Sequence, residues 1–243
     1  MWTSAELKYR AKGAFYKNYW NCVLIALVMT FFVGVASETV VNFAQDQGYY
    51  FQMNSWMGSF GFRTYRPLFG MFGLKLLAGM VTIVFLFVKI FIGNPLYVSG
   101  SRFFIQNQTM NPSVATLTYG FKSNGYTNVV LIMFLRNLFT SLWSLLFVIP
   151  GIIKHYEYLM IPYILAENPQ MDQKEAFLIS KRMMNGQKMN AFILDLSFIG
   201  WKIVSVVTFR LGGVFFVNPY YQATFAELYS VNRSRAYQEG YIR

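Results

Sequence analysis

Five ionisable residues stand inside otherwise apolar stretches: Lys89, Arg136, Glu157, Asp195 and Lys202. At mid-bilayer each charge costs about 2.5–3.5 kcal/mol on insertion scales, so such residues face a protein interior and pair. Lys154 and Glu157 are three apart and share a helix face, and Asp195 and Lys202, seven apart, share another. Their expected depths put Glu157 within reach of Arg136 or Lys202, and Asp195 within reach of Lys89. A polar line of this kind either conducts a solute or fixes helix register by pairing, and pairing is the favoured reading. The single histidine, His155, and the single cysteine, Cys22, leave no ligand cluster for a metal and no intramolecular disulfide. The sequence has no nucleophile elbow, phosphate loop or zinc-protease motif, so no catalytic residue, metal or cofactor is assigned and the chain reads as a non-enzyme.

A second constellation is conformational. Asn94, Pro95 and Tyr97 recur as Asn218, Pro219 and Tyr221, 124 residues on, and Pro162 stands in a looser copy of the same stretch, LMIPYILA. A proline inside a helix frees a carbonyl one turn back, which Asn or Tyr can satisfy. Such a break either lines a binding cavity or simply bends the span around its neighbours. The bend is the favoured reading, with Pro162 leaning on water or a neighbouring tyrosine because Ile161 offers no donor.

The elements that must carry these residues follow from composition. The chain has 243 residues, 55% hydrophobic, 19% aromatic and 13% charged, against about 25% charged in soluble domains. So much apolar surface needs lipid to cover it. The expected fold is an all-α integral membrane protein, one membrane domain over residues 1–243, with six transmembrane helices arranged as three hairpins and interfacial amphipathic helices at their feet. An interfacial N-terminal helix occupies 1–19, with Trp2, Leu7, Ala11, Ala14 and Phe15 on its apolar face. The first hairpin covers 20–97 and includes a long aromatic outer loop, 42–70; the second covers 126–168 and turns at Pro150-Gly151. Its returning span, 152–166, reaches only about 22 Å against an apolar layer of about 30 Å. An amphipathic helix at 171–186 follows, with Asp172 as N-cap, a face of Ala176, Phe177, Ser180, Met183 and Met184, and Gly186 as its terminator. The third hairpin covers 191–229, and a basic tail fills 230–243.

The net charge of +11 belongs to one side of the membrane. With the N-terminus inside, thirteen lysines and arginines fall on inner segments, and only Arg63, Arg66 and Arg210 fall outside. That excess places both termini in the cytoplasm. The implied partners are the lipid bilayer and anionic headgroups on its cytoplasmic face, with a second copy of the chain or another membrane protein as further candidates and no nucleic acid.

The stretches WSLLFVIPGIIKHYEYLMIPYILAENP (143–169), EAFLISKRMMNGQK (175–188), LDLSFIGW (194–201) and FVNPYYQATFAELY (216–229) resemble a family of bacterial integral-membrane proteins known only as domain of unknown function nine-seven-five. The opening SAELKYRAKGAF is similar to its N-terminal segment. The resemblance implies a bacterial cytoplasmic-membrane location. It brings no activity and no functional residue. The family also looks similar to the membrane domain that precedes some glycerophosphodiester phosphodiesterase domains, which supplies a scaffold and not a reaction. The functional expectation is a non-catalytic, transport-related or membrane-organising component. Two alternatives stand beside it: an immunity or resistance protein against membrane-active peptides, working through residues 49–69, and a lipid-processing enzyme, for which His155 or Asp195 would be the acid or base.

Topology is directly testable. In a Cys22→Ser background, single cysteines in 100–124 and 167–188 should react only with reagents admitted from the cytoplasm. Labelling from outside at Lys122 or Lys188 would end the six-span reading.

Overall fold

The structure, a computed structural model, describes residues 2–32, 68–122, 124–208 and 211–242. Most of the aromatic stretch expected as an outer loop, together with Glu38, Arg63, Arg66 and Arg210, lies outside the described residues. Every regular element among those described is helical. Two compact units are present, Phe31–Gly93 on one hand and Met1–Thr30 with Asn94–Arg243 on the other. The smaller unit holds α3 (Leu68–Val88), which runs into a π-helical turn, Lys89–Gly93.

The larger unit opens with α1 (Ser4–Lys17), capped by the Thr3 hydroxyl on Glu6 N–H, and α2 (Tyr19–Phe32) begins two residues after α1 ends. Leu7, Ala11 and Phe15 of α1 are fully buried, as their four-residue spacing requires, but the surface that buries them is α12 (Asn218–Gln238). The amphipathic face therefore packs on protein, with Tyr220 donating to Lys8 O at 3.2 Å.

Beyond the π turn, α4 (Asn94–Gln106) leads to a 3-10 turn (Val114–Thr118) and the short α5 (Tyr119–Lys122). The long apolar α6 (Tyr126–Leu146) follows. A single extended residue, Phe147, turns the chain into α7 (Val148–Glu157). This corrects the expected turn at Pro150-Gly151. Pro150 sits instead in the first turn of α7, where a missing N–H costs nothing. Gly151 permits close contact between the two arms: a Cβ there would stand 2.6 Å from Ser144 Cα. The tip is apolar throughout, with Leu145, Phe147 and Val148 exposed by 84, 70 and 72%.

The returning arm breaks over 158–160 and resumes as α8 (Ile161–Glu167). Next comes α9 (Gln173–Met183), in which Asp172 Oδ2 accepts from the Lys174 and Glu175 N–H groups; Gly186 follows at φ +70°, which a side chain would strain. Its buried face is Ala176, Ile179, Ser180 and Met183, continued by Met184. The fifth span also departs from expectation, dividing into α10 (Lys188–Leu196) and α11 (Ile199–Val207). Ser197 Oγ donates to Leu194 O, and Phe198 N–H donates back to Asp195 O, tightening and ending α10. A second π-helical turn, Gly213–Val217, runs straight into α12.

Two described helices, Gly79–Gln106 and Tyr126–Leu146, are long and apolar enough to cross a membrane, and Tyr19–Phe32 is apolar but shorter. The expectation of six is thus met in part. α2 reaches the edge of the described residues, the fourth and fifth spans are interrupted, and α12 continues into a polar half bearing Asn232, Arg233 and Arg235. The largest buried side chains, including Phe15, Phe103, Phe104, Tyr163 and Phe225, gather where α4, α8 and α12 meet α1 and α9. Two linkers are tied in the same way: Asn18 Nδ2 donates to Pro112 O at 3.0 Å, and Asn128 Nδ2 donates to Pro169 O at 3.0 Å.

The close approach at Phe147 gives a stability test. Gly151→Ala should destabilise the protein by about 1–3 kcal/mol, because Ser144 backbone must move aside. Gly13→Ala, where an added Cβ meets nothing within 4 Å, should instead stabilise by about 0.5–1 kcal/mol. Thermal unfolding in detergent reads both; equal shifts would mean the α6–α7 contact is loose.

Candidate functional site

Both copies of the Asn-Pro motif lie inside continuous helix, immediately after a π-helical turn: Lys89–Gly93 before Asn94-Pro95, and Gly213–Val217 before Asn218-Pro219. The motif is therefore not a helix stop. A wider turn ahead of the proline moves carbonyls away from its ring, which would otherwise collide with the carbonyl four residues back. Pro162 follows a complete break instead.

In two copies the carbonyl four residues before the proline takes a donor from a different helix. For Pro219 it is Phe215 O, which accepts from Tyr19 OH at 3.2 Å. For Pro162 it is Tyr158 O, which accepts from Arg136 Nε at 3.0 Å and only distantly, at 3.4 Å, from Ile161 N–H. This corrects the expectation that Pro162 leans on water or a tyrosine: the donor is the half-buried guanidinium of α6. A third interruption, at the end of α10, follows the pattern. Lys8 Nζ reaches Ser197 O at 3.4 Å and stands 4.6 Å from the Phe198 ring centre, and burial lowers the Lys8 pKa. The asparagines bond across helices as well. Asn137 Nδ2 donates to Asn94 Oδ1 at 3.4 Å, and Asn218 Nδ2 donates to Thr30 Oγ1 at 3.3 Å.

The remaining charged residues form two local groups. Glu157 is buried and takes Lys154 Nζ at 2.9 Å on one oxygen and Lys188 Nζ at 2.8 Å on the other. Its backbone carbonyl accepts Ser180 Oγ at 2.8 Å, so this one residue ties α7 to α9 and α10. Asp195 accepts Tyr156 OH at 3.0 Å and Lys202 Nζ at 3.3 Å, and Lys202 lies 5.2 Å from the Tyr221 ring. The pairs three and seven apart thus share the expected faces. The cross-helix partners differ from expectation: Glu157 meets Lys188 rather than Arg136 or Lys202, and Asp195 meets Tyr156 and Lys202 rather than Lys89. Lys89 begins the π turn of the smaller unit, with its Cγ 3.8 Å from where a Cβ on Gly93 would sit.

Arg136 lies within electrostatic range of Tyr97, Tyr163 and Tyr221, which are the tyrosines of the three proline copies. The structure thus brings the repeated motif and the α6 arginine within electrostatic range of one another. His155 stands edge-on to Tyr156, with ring centres 5.2 Å apart. Sequence reasoning missed Tyr19, Lys8, Tyr156 and Lys188. Proline position names the acceptor by counting back four residues, but no local pattern names a donor that arrives from a distant helix. Among the described residues no group of histidine, cysteine and carboxylate side chains suits a metal ion.

Residues 145–236 match the model of a family described as a protein of unknown function, DUF975. This is the family that the sequence resembles, and the match runs from the end of α6 through most of α12. No curated protein and no solved structure matches the chain.

If Arg136 serves the Tyr158 carbonyl, Arg136→Met should cost about 1–3 kcal/mol, the usual penalty for a buried polar group left unpaired. In a Pro162→Ala background the new N–H can take that carbonyl, so the same change should cost measurably less. A double-mutant cycle of unfolding free energies should show coupling of about 1 kcal/mol or more. Additive losses would assign the guanidinium another task.

Proposed function

We propose that this chain is a multi-pass protein of the bacterial cytoplasmic membrane, without catalysis of its own, that acts as a membrane-organising component. Its six spans form three hairpins of like orientation, each ending in a proline-marked inward helix, with both termini on the cytoplasmic side. Support for the membrane comes from the two long apolar helices and from uncovered apolar side chains in each unit, Leu76 and Phe87 in the smaller and Leu131, Leu142, Ile199 and Ile203 in the larger. The inside placement rests on the basic residues of α1, α9 and the C-terminal tail.

The observation that carries the non-transporting, non-catalytic part is how the interior charges are used. Arg136 serves a backbone carbonyl, Glu157 lies between two ammonium groups, and Asp195 is held by Tyr156 and Lys202. A conducting path needs polar groups that exchange partners with a solute. These groups are bound to the helices they hold in register, and such pairing fixes an arrangement of helices.

Water footprinting of the unmodified protein in lipid nanodiscs tests this. Hydroxyl radicals should oxidise Tyr9, which is 81% exposed, at least ten times faster than Tyr163, which is 2% exposed, or Tyr221 beside Lys202. Oxidation of Tyr221 and Tyr163 at the Tyr9 rate would show a wet path around Arg136 and replace this reading with transport.

A further inference from the structure

Between α7 and α10 runs a groove of about 290 Å³, open along one side. Ile149, Ile152, Ile153, Met189 and Phe192 supply its walls, and Tyr156 and Lys188 are its polar members. Several of these apolar side chains stay uncovered: Ile149 is 72% exposed and Met189 66%. The groove is therefore a furrow in the apolar surface, and one of its two polar members carries charge.

That charge has a direction. Lys188 Nζ spends one hydrogen bond on Glu157 Oε2, and an ammonium has three donors. Glu157 Oε1 is already taken by Lys154, so the three side chains together carry one net positive charge. The carboxylate lies inside, 5% exposed, whereas the Lys188 side chain is 31% exposed. The negative partner is thus covered and the excess positive charge faces out. Lys188 is also the first residue of α10, whose amide dipoles favour an anion at that end.

We propose that this groove binds one anionic phospholipid, with an acyl chain lying against Ile149, Ile153, Met189 and Phe192 and the headgroup phosphate on Lys188. The assignment rests on the chain lying in a bilayer, as argued above. Apolar walls select a molecule with a hydrocarbon chain over a free phosphate. The net positive triad selects an anionic headgroup over a zwitterionic one, as basic pockets between membrane helices do elsewhere. Phe192 braces the floor by packing edge-on against Tyr156, with ring centres 5.9 Å apart, and Tyr156 is anchored through its hydroxyl to Asp195.

The test uses the full chain purified in detergent and titrated with phosphatidylglycerol or phosphatidylcholine of identical chains. Native mass spectrometry counts bound lipid, and membrane recovery of the expressed protein checks separately that it is a bilayer protein. Phosphatidylglycerol should be retained at one per chain with at least five-fold preference over phosphatidylcholine. Lys188→Gln should weaken that retention about five-fold, the worth of one cation at a lipid headgroup. Ile153→Trp, at a site 46% exposed and so free of core strain, should fill the groove and abolish it with the triad intact. Met189→Trp provides a second blocking variant should the first fold poorly. Equal retention of the two lipids, indifference to Lys188→Gln, or soluble glycerol phosphate counted at the same occupancy as phosphatidylglycerol would overturn the site. Failure to recover the protein from membranes would overturn the bilayer reading instead.

Discussion

A carbonyl released where a helix is interrupted has lost its own backbone donor, and the need to replace that donor shapes this molecule. A backbone group left unpaired away from water costs free energy comparable to a lost hydrogen bond, so a helix interruption favours a donor from some other part of the chain. Here the donors are Tyr19 for Phe215 O, Arg136 for Tyr158 O and Lys8 for Ser197 O. Each comes from a helix that precedes the interruption in the chain. The interruptions and their donors thus act as long-range ties, joining α2 to the π turn before α12, α6 to the α7–α8 break, and α1 to the α10–α11 break. A run of uninterrupted spans would lack these ties and would depend on packing alone, which lipid tails offer almost equally well.

The same logic gives Arg136 a structural meaning. A guanidinium is costly to bury, but it is more weakly hydrated than an ammonium and offers its donors in a fixed planar fork. With its Nε committed to Tyr158 O, the group stays within electrostatic range of Tyr97, Tyr163 and Tyr221. Glu157 plays a comparable part. One covered carboxylate between Lys154 and Lys188, with its own carbonyl held by Ser180, joins three helices at a single residue.

Much of this was legible in the sequence where the governing interaction is local. The N-cap at Asp172, the left-handed Gly186, the buried face of α1 and the Lys154–Glu157 and Asp195–Lys202 faces all follow from spacings within one or two turns. The repeated Asn-Pro motif marked two places where the helix departs from α geometry. Sequence could not say that the departure would be a π turn before Asn94 and Asn218 but a full break before Pro162, because that choice depends on neighbours. It placed the second turn at Pro150-Gly151, a strong local signal, whereas the chain turns at Phe147 so that Gly151 can lie against Ser144. It also read the apolar faces of α1 and α9 as lipid-facing. Periodicity shows that a face must be covered, and only the fold shows that α12 and its neighbours cover it.

The one-residue turn at Phe147 bears on how the protein is made. A loop on the far side of a membrane normally has to be carried across as a hydrated, often charged segment. The tip from Leu145 to Ile149 contains no polar side chain at all, and its residues favour hydrocarbon over water. In the bilayer placement proposed above, the α6–α7 pair has no hydrophilic loop at its tip to carry across.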